Sequence, residues 1–75
     1  MRDWLKAMRM QAEFSQGEMA ARLSIAQPYY CEIERGTRQQ DMAYSMMGKI
    51  AGALSRPVKD IINAERGQDD AQDSA

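Results

Sequence analysis

The sequence predicts an all-α chain, a compact bundle of about five short helices. Three observations carry that expectation. Apolar residues recur three and four positions apart in five successive stretches, as on one buried face of a helix. Ser15 and Glu18 form a helix start signal, in which each side chain can reach the other residue's backbone N–H. Pro28 and Pro57 stand where a first helical turn tolerates them, and Gly36 stands where a helix should stop.

The first helix is predicted over Met1 to Ala12, with Asp3 as cap and Trp4, Leu5, Met8 and Ala12 on one stripe bracing the rest of the chain. Glu13 and Phe14 connect onward, Phe14 preceding the cap as a hydrophobic staple onto Met19 or a neighbour. The second helix runs from Ser15 or Gln16 to Leu23, with Met19, Ala20 and Leu23 facing a core. Ser24, Ile25 and Ala26 make a tight connection. A third helix, Gln27 to about Arg35, is bracketed by Pro28 and Gly36. Tyr30 and Ile33 form its inward face, with Ile25 as a plug from the turn. Gln27, Pro28, Tyr29 and Glu32 are left outward.

Thr37 to Gln40 reads as a polar loop. A fourth helix is predicted from Asp41 or Met42 to Leu54, with Tyr44, Met47, Ile50, Ala51 and Leu54 inward. Gly48 and Gly52 either admit a close neighbour or reflect tight local packing. After Pro57, Val58, Ile61 and Ile62 form the apolar face of a fifth helix ending near Ala64. Residues 66–75 hold no large apolar side chain and are predicted to be a disordered acidic tail. The folded domain is therefore placed at residues 1–65.

A single core in a chain of 75 residues rarely supplies more than roughly 3–5 kcal/mol, so dimerisation or ligand binding would add to it. Cys31 is the one cysteine and has no internal partner for a disulfide; no signal-like leader or membrane-length apolar run is seen. The expected location is the cytoplasm, with no membrane association. Without histidine there is no acid/base constellation, and no set of metal ligands at suitable spacing, so neither an enzyme nor a metal or cofactor is expected. Met8, Met19 and Met47 are expected to fill core gaps. The formal charge is −1, but its distribution is uneven: residues 1–66 carry +2 and the tail, with Asp69, Asp70 and Asp73, carries −3.

Ser15 to Gly36 resembles the helix-turn-helix of the lambda repressor and Cro-like (XRE-type) domains. The likeness rests on Gln16, Ala20, Ile25, Gln27 and the closing Ile33-Glu34-Arg35-Gly36, and the run PYYCEIERGTR looks like short phage or mobile-element repressors. It spans residues 3 to 64. Two departures stand out: Ser24 replaces the usual glycine of the turn, implying a strained backbone or a different turn, and Ala26 replaces the usual capping Ser or Thr. The loop before the fourth helix is also about two residues longer than in the family. The resemblance implies a largely buried ion pair between Arg9 and Glu34, structural in role, whose single removal is worse than removal of both partners. It also implies that Gln16 binds a phosphate and steadies Gln27.

A short helix on a rigid frame matches the major groove, where each base pair shows its own donor and acceptor pattern. Gln27 suits bidentate pairing with adenine; Pro28 and Tyr29 suit a thymine methyl. Glu32 either accepts from cytosine N4 or is a solvated acid. Gln16, Arg35, Thr37, Arg38 and Gln39, with the N-terminus of the Gln16 helix, are expected at phosphates. The expected function is a sequence-specific regulator, a repressor on a palindromic double-stranded operator. It is expected to act as a homodimer through Leu54, Val58, Ile61 and Ile62. The competing reading is an antitoxin-like or accessory interaction module whose acidic tail folds onto a protein partner.

Overall fold

Five helices and no strand occur among the described residues of the computed structural model, which describes the backbone of residues 1–73 and the side chains of residues 1–67. They are α1 (Asp3–Gln11), α2 (Gln16–Leu23), α3 (Gln27–Arg35), α4 (Tyr44–Leu54) and α5 (Val58–Asp73). Helix α2 packs on α3 and α4, α1 on α3, and α4 on α5. Leu5, Met19, Tyr30, Ile33, Ile50 and Ile61 are fully buried where these faces meet.

Four helix ends share one device. After α1, α2, α3 and α4, the residues Glu13, Ser24, Gly36 and Ser55 take left-handed φ values of 62°, 59°, 85° and 55°. In each case the following residue's N–H reaches back to a carbonyl of the last turn: Phe14 to Arg9, Ile25 to Ala20, Thr37 to Glu32 and Arg56 to Ala51. Phe14 and Ile25 are thereby folded back onto the core, so the turn that closes one helix also seats the plug that leads into the next. A glycine marks the Gly36 end in the sequence, and the family resemblance marks Ser24, whose left-handed backbone is the strained alternative expected there; nothing marked Glu13 or Ser55. At Glu13, Ser24 and Ser55 an L side chain bears the left-handed backbone, at a cost of about 1 kcal/mol each. Ser24→Gly and Ser55→Gly are distant in sequence and share no partner. Each is expected to raise stability by up to about 1 kcal/mol and Tm by roughly 4–8 °C, additively, in a thermal melt.

Helix α4 departs from expectation in its start and first turn, while Ile50, Ala51 and Leu54 face inward as expected. It begins at Tyr44, later than Asp41 or Met42, because the preceding loop is built rather than helical: Met42 is buried in the core, and the side-chain oxygen of Gln39 accepts from the Ala43 N–H. The inward stripe is Met46, Ile50, Ala51 and Leu54. Tyr44, expected inside, is 72% exposed, and Met47 is only half-buried. Gly48 and Gly52 lie on the exposed side with open space above them, so neither admits a neighbour within the chain. Asp3 is the first residue of α1 rather than its cap, which is Arg2.

Helix α5 continues past Ala64, because Glu65 is tied into the fold by Arg2 and Trp4. The backbone of residues 66–73, part of the tail expected to be disordered, lies within α5, and the side chains of residues 68–75 and the backbone of 74 and 75 lie outside the described residues. Packing of α4 on α5 also corrects the expected interface. Leu54 and Ile61 are closed inside the chain and are not available to a second copy, whereas Val58 is exposed and Ile62 half-buried. No helix among the described residues is long and apolar enough to cross a membrane.

Candidate nucleic-acid interface

Helix α3 owes its placement to a buried polar network at its C-terminal half. Arg9 Nε on α1 donates to Glu34 Oε2 at 2.6 Å, and the Tyr30 hydroxyl donates to the same oxygen at 2.7 Å. Gln16 Nε2, at the head of α2, donates to Glu34 Oε1 at 3.1 Å. Arg9 also donates through Nη1 to the Phe14 carbonyl at 2.8 Å. Three helices therefore converge on one carboxylate that is 2% exposed. Burial pushes the Glu34 carboxyl up, but the hydrogen bonds from Arg9, Tyr30 and Gln16 outweigh it and hold the group below the ordinary glutamate range. Burial, and then the hydrogen bond to Glu34, push the Tyr30 hydroxyl upward, so it stays a donor. Every buried side-chain polar atom among the described residues has a partner. The network fixes the rotation of α3 about its axis, which an apolar stripe of two residues, Tyr30 and Ile33, specifies only loosely.

With that side turned in, Gln27 and Pro28 are exposed at the head of α3. A Cβ added to Gly17 would lie 3.2 Å from Gln27 Oε1 and 3.8 Å from its Cδ, so the Gln27 amide rests over the first turn of α2 in space that a side chain there would fill. Tyr29 is half-buried; its hydroxyl accepts from Gln39 Nε2 at 3.2 Å, and the Arg38 guanidinium lies 5.5 Å from its ring centre. Glu32 is neither a free acceptor nor merely solvated, since Arg38 Nε donates to its Oε1 at 2.8 Å. Thr37 Oγ1 donates to the Glu32 carbonyl at 3.2 Å. Arg35, Thr37 and Arg38 are exposed beyond the end of α3.

Two of the residues expected at phosphates have their amides engaged within the chain. Gln16 donates to Glu34 and accepts from Cys31 Sγ at 3.1 Å, and Gln39 bridges Tyr29 and Ala43. Its hydrogen bonds run inward, so Gln16 makes none with Gln27. The start of α2 already holds a carboxylate: Glu18 accepts from the Ser15 N–H at 2.8 Å while Ser15 Oγ accepts from the Glu18 N–H at 3.0 Å. That charge offsets the attraction a bare helix start has for an anion. No group of three or more His, Cys, Asp or Glu among the described residues could hold a metal ion.

Two helices joined by the Ser24–Ala26 turn, the second locked by its inner side and open on its outer side, define a helix-turn-helix unit. Over 45 residues the chain is 42% identical to a protein of Bacillus subtilis (strain 168) described as "Uncharacterized HTH-type transcriptional regulator YqaF". The match takes in 60% of this chain and 59% of that protein, so the chain spans less than two thirds of its relative's length. No family model and no solved structure matches the chain.

Proposed function

We propose that this protein is a double-stranded DNA-binding transcriptional regulator of the lambda repressor and Cro type, acting as a repressor on a palindromic operator. The observation that supports it most is the contrast within α3: Glu34 and Tyr30 are locked by a buried network, while Gln27 and Pro28 stand free at the end that enters the groove first. The likeness to an HTH-type transcriptional regulator points the same way. Gln27 reads an adenine, Pro28 and the edge of Tyr29 contact a thymine methyl, and Glu32 reads a cytosine only when Arg38 leaves it for a phosphate. Arg35, Thr37 and Arg38 hold the backbone; Gln16 and Gln39 contribute there through main-chain amides, their side chains being engaged. The protein acts in the cytoplasm, without cofactor or catalysis.

A chain with so few free cations binds one half-site weakly, so two copies act together. Val58 and Ile62, the members of the α5 face that stay accessible, are the apolar part of that contact. Selection from a random duplex pool at low salt tests the reading. Two half-sites with centres about one helical turn apart should be enriched. A pool that emerges with no motif would instead favour a protein-interaction module.

Gly17 gives a finer test. In Gly17→Ala the new methyl meets the end of the Gln27 side chain, which is free to swing away, so the fold should lose nothing and gain up to about 1 kcal/mol of helix propensity. Base preference at the Gln27 position should relax, as read by selection with the variant beside the parent. Unchanged preference would show that the seat over Gly17 does not set the pose of the amide.

A further inference from the structure

Arg2 lies outside the helix-turn-helix, yet it is 3% exposed and is the most heavily bonded side chain described. Its backbone N–H donates to the Glu34 carbonyl at 2.7 Å, and Nη1 donates to the Ile33 carbonyl at 2.6 Å, closing the end of α3. Nη1 also donates to the Arg38 carbonyl at 3.1 Å, and Nη2 donates to the carbonyls of Gln39 and Gln40. The other edge of the fork grips α5: Nε and Nη2 donate to the two oxygens of Glu65 at 3.0 and 2.9 Å, and Trp4 Nε1 donates to Glu65 Oε1 at 3.2 Å.

Capping α3 requires the contacts to Ile33 and Glu34 alone. The three further carbonyls belong to the loop between α3 and α4. In a planar trans peptide the C=O and the following N–H point in opposite directions. Drawing the carbonyls of Arg38, Gln39 and Gln40 in toward Arg2 therefore turns the N–H groups of Gln39, Gln40 and Asp41 away from it. None of those three N–H groups donates to another described residue, in contrast to Thr37 and Arg38, whose N–H groups go to the Glu32 carbonyl. Gln39 in the middle has a φ of 54°, the left-handed turn that lets successive amides converge on an anion. Asp41 opposes an anion at the far end of the loop, which places the contact at the Arg38 and Gln39 side.

We propose that Arg2 is a positioning residue that holds the 38–41 loop with its amides outward as a DNA phosphate contact, and that Glu65 orients Arg2, making α5 part of the DNA-binding apparatus. This rests on the DNA reading above. Lysine at position 2 keeps the charge but has no planar fork to span the loop carbonyls and both oxygens of Glu65.

Arg2→Lys and Glu65→Gln are compared with the parent at a temperature where circular dichroism shows each folded, using the selected duplex and an unrelated one over a range of salt. Arg2→Lys should weaken both duplexes by the same factor with base preference kept, and, because the loop amides carry no charge, with the slope of log affinity against log salt near that of the parent. In the 15N-labelled variant the amides of Gln39, Gln40 and Asp41 should no longer shift when duplex is added. Glu65→Gln should do the same to a lesser degree. A purely structural Arg2 would lower Tm and leave the affinity of the folded variant alone. Parental affinity and parental amide shifts in whichever variant folds overturn the proposal. If the parent binds no duplex at low salt, the DNA reading falls and this proposal with it; a parent that binds, beside variants of unchanged affinity, sinks the positioning role only.

Discussion

Glu34→Leu is expected to leave most of the protein unfolded at 25 °C. The substitution strands the Arg9 guanidinium at 8% exposure and takes the acceptor from the Tyr30 hydroxyl and the Gln16 amide. Removing one partner of a buried pair costs about 3–5 kcal/mol, which is as much as a core of this size supplies. The doubly changed Arg9→Met, Glu34→Leu chain should be more stable than Glu34→Leu alone, since no charge is left buried without its counterion. Urea unfolding followed by circular dichroism measures both. Equal midpoints for the single and double variants would mean that the pair is not what holds α3 in place.

The same carboxylate sets a pH dependence. Its folded pKa lies below the ordinary value of 4.5, so its contribution is complete above that value and is lost as pH falls through the lower folded one. The parent should thus lose stability on acidification below about pH 4.5, and the double variant should lose less over the same range.

Gln27→Ala should reduce affinity for the selected operator by about 1–3 kcal/mol, roughly five- to 150-fold, while leaving affinity for unrelated duplex nearly unchanged. The asymmetry follows from position. Gln27 is exposed, so its truncation creates no cavity, and it carries no charge, so the sequence-independent attraction to phosphates is untouched. Arg35→Gln, by contrast, should weaken every duplex alike. Fluorescence anisotropy at one fixed salt concentration separates the two. A uniform loss from Gln27→Ala would move that residue from the bases to the backbone.

Much of the fold was legible because its signals are local. The Ser15–Glu18 box, the Pro28 and Gly36 brackets and the three-four spacing of Met19, Ala20 and Leu23 each depend on a few neighbouring residues. The Arg9–Glu34 contact, 25 residues apart in sequence, came from the family resemblance rather than from any spacing. What escaped notice is non-local. Arg2 falls within the first helix expected from the sequence and carries no local signal, and only the folded chain shows four carbonyls and a carboxylate meeting on it from α3, the loop and α5. The first turn of α4 was misjudged for a related reason, although Ile50, Ala51 and Leu54 face inward as expected. The loop before it is shaped by Met42 in the core and by Gln39 at the cap, so the helix starts later and Met46 replaces Tyr44 inside. In the site, Gln16, Gln39 and Glu32 all looked available from the sequence, because an amide or a carboxylate gives no sign of which partner in its own chain will claim it.

Titrating a selected duplex into 15N-labelled protein and following the amide spectrum bears most directly on the role of α3. The side-chain amide of Gln27 should shift most, together with the backbone signals of residues 27–32 and 37–41, while the exposed side of α4 at Tyr44, Gly48 and Gly52 stays still. Shifts confined to α4 or α5, with the Gln27 amide unmoved at saturation, would contradict a helix read by base edges.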